Sequence, residues 1–443
     1  MSNPFRRPAA ESPVGSQRQT GSLQALYHCG RLSQYLLWLA CGAGVVGLLG
    51  SRALIALSPV VGVGAVLLNP NLRAGLRHYA RNGAARRAAL LYALLLVSAL
   101  YTTDWAEWRH EIYRWLPWLA VPLAFTAAVP LSARQRLAVG SLFVLGTALV
   151  GIGTLGQYLL NPAAANEAFR VSQNLPSSMG VSHIPFSVML VLAGFGGLYL
   201  RREPLAGPGL RGALATAGGV GIVIVHVLAY RTGLLVFYGA LAAEALRLLF
   251  RRRLRLGLAL LLLMAGAATV AYQTLEPVRR RVGVTLYDVD QFQQGRDINQ
   301  YSLSRRLAAW ETAALLARQH PWLGVGLADA KAAMMGQYNW RDYGVRPQNR
   351  VMIHNQYLHF LVGSGVLGLG LWLLLLSRPL LQPAPRRNPY IRSFLLVMAA
   401  AMLVDSLLQV QIGYNLFVFG YGFLVVAAER HQQFSQSLPP RPA

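Results

Sequence analysis

His354 and Asn355 close a polar stretch and open an apolar one, in the run Arg350-Val-Met-Ile-His354-Asn355-Gln356-Tyr357-Leu358. A neutral imidazole at that place can take the proton of a hydroxyl, which is otherwise a poor nucleophile, and a helix N-terminus beneath it disfavours the charged form. Upstream, Arg306 stands one helical turn before Trp310, so the two share a face, with Arg305 as an immediate neighbour. Arg231, in Tyr230-Arg231-Thr232-Gly233, lies at the mouth of another apolar run. Guanidinium groups bind anionic oxygens bidentately and stay charged at any relevant pH, which suits a leaving group whose negative charge grows during reaction. Asp405 falls inside a late apolar run. An ionisable residue there is a candidate site residue, and its expected partner is Arg231 or His354. The plain alternatives are a capping histidine, arginines on lipid headgroups, and an aspartate in a structural ion pair.

A second chemistry competes with this one. Asp288-Val-Asp290 has the Asp-x-Asp form that holds a divalent cation in many sugar-transfer enzymes. No further acid or histidine flanks it at useful spacing, so a metal is not expected. Cys29 and Cys41 are the only cysteines, and Cys41 lies in an apolar run, which argues against a disulfide framework or a thiolate metal site. No phosphate-binding glycine loop or dinucleotide fingerprint is present. His183, His320 and His359 read as structural.

The elements that must position these groups are membrane helices. The 443 residues are 54% hydrophobic and 13% charged, a polytopic membrane composition. The net charge of +25 comes from short arginine clumps between apolar runs, not from one basic face, so nucleic acid is not an expected partner. Apolar runs at about 34–50, 53–68, 87–103, 112–129, 137–160, 183–200, 212–229, 232–250, 254–273, 356–377, 391–408 and 412–428 make about twelve transmembrane helices in an all-α fold. Arginines crowd the 69–87, 201–211, 247–255 and 378–392 connections. The positive-inside rule then places these, and both termini, in the cytoplasm. The chain accordingly divides into a polar, disordered N-terminus (1–34), helices one to nine (35–273), a large loop (274–355), helices ten to twelve (356–428) and a cytoplasmic tail (429–443). The large loop faces outward, which in a bacterium is the periplasm.

That loop holds seven acidic and eleven basic residues and reads as a small, partly helical cap. Residues 302–319 are expected to form a helix capped by Ser302 or Ser304, with an apolar stripe of Leu303, Leu307, Trp310 and Ala314, stopped by His320-Pro321. Trp105, Trp108, Tyr113, Trp115 and Trp118 read as an interfacial aromatic belt. The 161–182 connection, with Glu167 and Arg170, has the composition of a flexible lid. Gln409, Gln411, Tyr414 and Asn415 prolong a polar strip from Asp405.

Three blocks in order, Arg306-x-x-x-Trp310, Pro321-x-x-Gly324-x-Gly326, and His354-Asn355-x-x-Leu358 running into Gly365–Gly368, resemble the O-antigen ligase/polymerase superfamily. The resemblance is sharpest over about 300–370 and includes Arg231. It implies an inner-membrane glycosyltransferase of GT-C-like architecture that acts at the periplasmic face without metal or nucleotide sugar. The implied donor is an undecaprenyl-diphosphate-linked glycan, and the implied acceptor is a sugar hydroxyl of lipid A–core. His354 would be the base, and Arg231 and Arg306, with Arg305 as a possible substitute, the diphosphate clamp. Asp405, Asn355 and Trp310 would support them. Relatives of such ligases polymerise O-units or glycosylate proteins. From a different class, a lipid or polysaccharide transporter would leave His354 without a chemical role.

Overall fold

The computed structural model describes residues 23–163, 165, 167, 175–341 and 343–437. Residues 1–22 of the polar N-terminus, and Arg170 with most of its neighbours in the 161–182 connection, lie outside the described residues. Among the described residues every regular element is helical. The order is α1 (Leu23–His28), α2 (Arg31–Gly50), α3 (Arg52–Leu67), α4 (Leu72–Arg81), α5 (Gly83–Val97), α6 (Trp105–Trp115), α7 (Pro117–Ala127), α8 (Ala133–Leu160), α9 (His183–Leu200) and α10 (Pro208–Val227). There follow α11 (Arg231–Phe250), α12 (Leu254–Thr274), α13 (Glu276–Gln293), α14 (Ser302–Gln319), α15 (Ala330–Trp340), α16 (Gln356–Leu381), α17 (Pro383–Arg387), α18 (Pro389–Val404), α19 (Gln411–Gly420) and α20 (Ala427–Ser437).

Nine helices among the described residues are long and apolar enough to cross a membrane, and α3 and α18 are shorter apolar helices. The expected span at 112–129 is divided at Leu116 between the polar end of α6 and the 11-residue α7, so one of the twelve runs is not a single crossing helix. Among the described residues α1 spans Leu23–His28, and the first long helix begins at Arg31. Local signals explain the starts. Ser132 and Gln135 form a capping box on α8, and Asn82, Asp104 and Asn388 cap α5, α6 and α18. Each such cap is worth about 1 kcal/mol.

Helices α2, α8, α9 and α10 pack as neighbours, and α18 lies against α9, α11 and α16. The largest buried side chains include Trp115, Trp118, Trp372, Phe360 and Phe417. Phe360 stacks on Trp372 at 4.9 Å, and Trp118 meets Phe417 at 5.8 Å. Trp115 and Trp118 therefore belong to the core and not to an interfacial belt; Trp105 and Tyr113 remain exposed. Burying indoles removes more apolar area from water than leaving them at a surface.

The cap, α13 to α15, has its own small core. Ala309, Ala313 and Leu316 of α14 pack with Met334 and Tyr338 of α15 and with Ile353. The buried stripe of α14 is thus Ser304, Ala308, Ala309, Thr312, Ala313, Leu316 and Ala317, while Leu303, Leu307, Trp310 and Ala314 are only half-buried. Small residues let α14 approach its neighbours closely, which displaces the larger side chains to the flank. The cap at its N-terminus also differs from expectation. Neither serine caps it; the Asp288 carboxylate of α13 accepts from the Leu303 N–H at 2.9 Å, and the Ser304 hydroxyl donates to the Asp288 carbonyl.

Two glycine motifs explain each other at the junction of cap and body. Helix α16 is broken at Gly365, whose φ is +62°. The break frees the Val362 and Gly363 carbonyls, which accept from Val325 N–H at 2.8 Å and Gly326 N–H at 3.0 Å. In return Val366 N–H donates to the Pro321 carbonyl at 2.8 Å. A side chain on Gly324 would collide with the Val362 backbone, and one on Gly365 with the Trp322 carbonyl. A helix break inside a membrane protein is tolerated where other groups satisfy its backbone in this way. Asp329 ties the same junction from the side, accepting from Thr102 Oγ1 at 2.7 Å, from Thr103 N and Oγ1 at 2.9 and 2.6 Å, and from Asp104 N at 3.1 Å.

Candidate active site

His354 immediately precedes α16 and has a φ of +46°, an unfavourable backbone conformation for a residue with a Cβ. Two neighbours hold it there. Asn355 caps α16, its Oδ1 accepting from Tyr357 N at 3.0 Å and Leu358 N at 3.1 Å. On the other side the Trp310 indole donates to the Ile353 carbonyl at 2.7 Å. Two of the three residues named as supporting from sequence, Asn355 and Trp310, therefore act on the backbone flanking the histidine.

The imidazole Nδ1 lies 3.2 Å from Asp405 Oδ1. The other carboxylate oxygen lies 3.9 Å from Arg306 Nη2, and Arg306 Nη1 donates to the Val404 carbonyl at 2.8 Å. Of the two partners expected for Asp405, His354 is one, and the arginine beside it is Arg306 rather than Arg231. Asp405 occupies a buried, non-helical break between α18 and α19, which lets a carboxylate face the cap from the end of a membrane helix. A histidine oriented by a carboxylate, with its second ring nitrogen left for a substrate, is the arrangement a general base needs.

Next to this pair is a cavity of about 500 Å³, lined by α9, α11, α13, α14 and Val404. Arg231, Arg281 and Arg306 project into it with His183, Thr232 and Trp310, and no carboxylate is among its lining residues. Arg231 Nε and Nη2 are buried with no hydrogen-bond partner among the described residues. Burial pulls the Arg281 guanidinium down to about 10, helped by the charge of Arg231, and burial also lowers Arg306, against the attraction of Asp405. All three stay cationic at neutral pH. For Arg231, whose two buried nitrogens lack hydrogen-bond partners among the described residues, burial is costly unless an anion completes it.

Arg305 does not join them. It lies outside the lining of the cavity and donates to the Asn349 carbonyl at 3.5 Å. The reason is helical: adjacent residues point about 100° apart, and Arg306 takes the cavity face. Arg281, in contrast, was not singled out from sequence. Nothing in the triplet Arg279-Arg280-Arg281 marks the third, and only the buried face of α13 does so. His183 and His359 likewise have polar surroundings that sequence did not signal. His183 lines the cavity, and His359 Nε2 meets Gln409 Nε2 at 2.8 Å.

The Asp-x-Asp motif splits. Asp288 is fully buried, facing α14, and burial pushes its carboxyl above the ordinary range against the opposing Leu303 N–H and Arg231 charge. Asp290 points elsewhere, accepting from the Gln294 side chain at 2.5 Å. Two residues apart on a helix, the carboxylates face different surroundings. Among the described residues no three His, Cys, Asp or Glu side chains converge as a metal-holding group.

No curated protein matches the chain. Residues 217–373, which contain Arg231, Arg281, Arg306 and His354 but neither Asp405 nor α6, match the family model described as O-antigen ligase. That match, with an all-helical body whose long apolar helices carry the site at one end, makes residues 217–373 similar to the O-antigen ligase/polymerase superfamily.

Proposed function

We propose that the protein is a ligase of that superfamily, transferring a glycan from undecaprenyl diphosphate to a sugar hydroxyl of lipid A–core at the periplasmic face of the bacterial inner membrane. The observation that carries this reading is the carboxylate-free cavity of three arginines beside the His354–Asp405 pair. A lipid diphosphate has the charge to bind at the cavity that Arg231, Arg306 and Arg281 line, and the negative charge that develops on it as the glycosidic bond breaks is what they would stabilise. His354 takes the acceptor proton, Asp405 holds the imidazole, and attack from the face opposite the leaving diphosphate inverts the anomeric carbon. The reaction needs no metal in this scheme, because guanidinium groups supply the positive charge that a cation would otherwise bring. A transporter would use the arginines but has no need of the oriented histidine.

The test is transfer by purified protein from undecaprenyl-diphosphate glycan to lipid A–core, with and without EDTA, beside His354→Ala. The expected result is a glycan-shifted lipid band that survives EDTA, and a variant that binds donor but transfers nothing. Donor polymerised without acceptor would make the protein a polymerase. Donor bound but untouched by the wild type would favour a transporter.

A further inference from the structure

Helices α18 and α19 are separated by residues 405–410, and this break carries Asp405. An interrupted buried backbone must find partners for its free polar groups. Two carbonyls at the break are each bound by a guanidinium: Val404 by Arg306 at 2.8 Å, and Leu408 by Arg114 Nη1 at 2.6 Å. Arg114 comes from α6, outside the stretch that matches the family model. Its Nη2 also donates to Gln409 Oε1 at 3.0 Å, and the Gln409 amide meets His359 Nε2 at 2.8 Å. Glu111 neutralises Arg114, accepting from its Nε at 2.9 Å. From α16, Gln356 Oε1 accepts from Leu408 N–H at 3.0 Å, and Asn355 N–H donates to Ser406 Oγ at 3.1 Å. The break is therefore gripped on one side by the residues that follow His354 and on the other by Arg114.

We propose that Arg114, acting through the Leu408 carbonyl and Gln409, is a positioning residue that sets the Asp405 carboxylate against His354. This rests on the transferase reading above. Arg114 is not among the residues that line the cavity, so its effect belongs to the chemical step and not to donor binding. A misplacement of about 1 Å in a catalytic group can cost on the order of 100-fold in rate, which sets the scale.

The experiment is steady-state transfer by the full-length protein in detergent with lipid-linked donor and lipid A–core. Arg114→Gln is expected to lower kcat by about 10- to 100-fold with both KM values within about threefold of wild type and donor binding unchanged. Arg114→Lys, which can still donate to the Leu408 carbonyl, should recover part of the loss. In an Asp405→Asn background, where residual transfer is still measurable, Arg114→Gln should cost little further, because the carboxylate it positions is gone. Gln409→Ala leaves the Arg114–Glu111 pair in place and should show the same split at smaller size, so the proposal stays testable if Arg114→Gln fails to fold. Wild-type kcat in both variants, or an undiminished loss in the Asp405→Asn background, overturns the proposal alone. A wild type that transfers nothing removes the transferase reading and the proposal with it.

Discussion

The 3.2 Å separation of His354 Nδ1 and Asp405 Oδ1 joins a residue at the start of one membrane helix to a residue just past the end of another. Because the second carboxylate oxygen faces Arg306, one aspartate links the histidine to the arginines of the cavity. Asp405→Asn keeps the shape but removes the charge that orients the imidazole. We expect kcat to fall by about 10²–10⁴-fold, with donor KM changed little. Single-turnover transfer is the measurement, and wild-type turnover in the variant would remove Asp405 from the mechanism.

Arg231 and Arg306 should resist conservative replacement. Lysine carries the charge but not the planar fork, so Arg231→Lys and Arg306→Lys are expected to lose about tenfold or more in kcat/KM. Arg305→Lys should be near wild type, because Arg305 lies outside the cavity. Donor titration of the three variants reads this directly. A large loss at Arg305 with none at Arg306 would reverse the assignment.

How far sequence reached is clearest at these residues. Arg306, Trp310, Asn355 and His354 stand in local patterns whose spacing survives folding, and all four meet at one place. Arg281 and Arg114 have no such pattern: one is the third of three arginines on α13 and the other the second of two on α6, and only tertiary packing decides which one turns inward. The burial stripe of α14 was misplaced for a related reason. Periodicity favours large apolar side chains, whereas the close approach of α14 selects alanine, serine and threonine. The positions of the membrane helices were readable because apolar runs of that length have few alternatives. The division at Leu116 was not, since an apolar run does not reveal where one helix stops and the next begins.

Asp288 separates the metal-free mechanism from its rival. Its raised carboxyl means that the folded protein binds the proton more tightly than the unfolded chain. Its contribution is therefore most favourable below the unfolded carboxylate range and falls as pH rises through the folded value. Asp288→Asn removes that cost, and the amide oxygen can still accept from Leu303 N–H. We expect thermal stability at neutral pH to be no lower than wild type, and transfer to stay insensitive to EDTA. Loss of transfer in a folded Asp288→Asn, with EDTA inhibition of the wild type, would move the chemistry to a bound cation.

Asp329 has the opposite sign. Burial works against ionisation, but the Thr102 and Thr103 hydroxyls and the Thr103 and Asp104 N–H groups outweigh it, so the carboxyl lies below its ordinary value. A depressed acid stabilises the fold above the unfolded pKa of about 3.9 and loses that contribution as pH falls through the folded value. Asp329→Asn, left with weaker neutral hydrogen bonds, should cost about 1.5–3 kcal/mol at neutral pH. Thermal unfolding across pH is the measurement: the gap between wild type and variant should be widest near pH 7 and close below about pH 4. A gap independent of pH would mean that shape, not charge, makes the latch.

Gly365 tests the junction from the backbone side. Its φ of +62° and ψ of −164° lie in a region that essentially only glycine occupies, which costs a residue with a Cβ about 1–3 kcal/mol, and here the added carbon also meets the Trp322 carbonyl. Gly365→Ala must either straighten α16 or push the 321–326 turn away. Either response withdraws the partners of the Val362 and Gly363 carbonyls and loosens the cap that carries Arg306. Gly370, five residues on in the same helix, has nothing within 4 Å of an added Cβ. Gly370→Ala is therefore expected to be neutral or to stabilise by up to about 1 kcal/mol through helix propensity. Paired melting curves should separate the two glycines, with transfer impaired only in Gly365→Ala. Equal curves would mean that the turn and the helix break do not depend on each other.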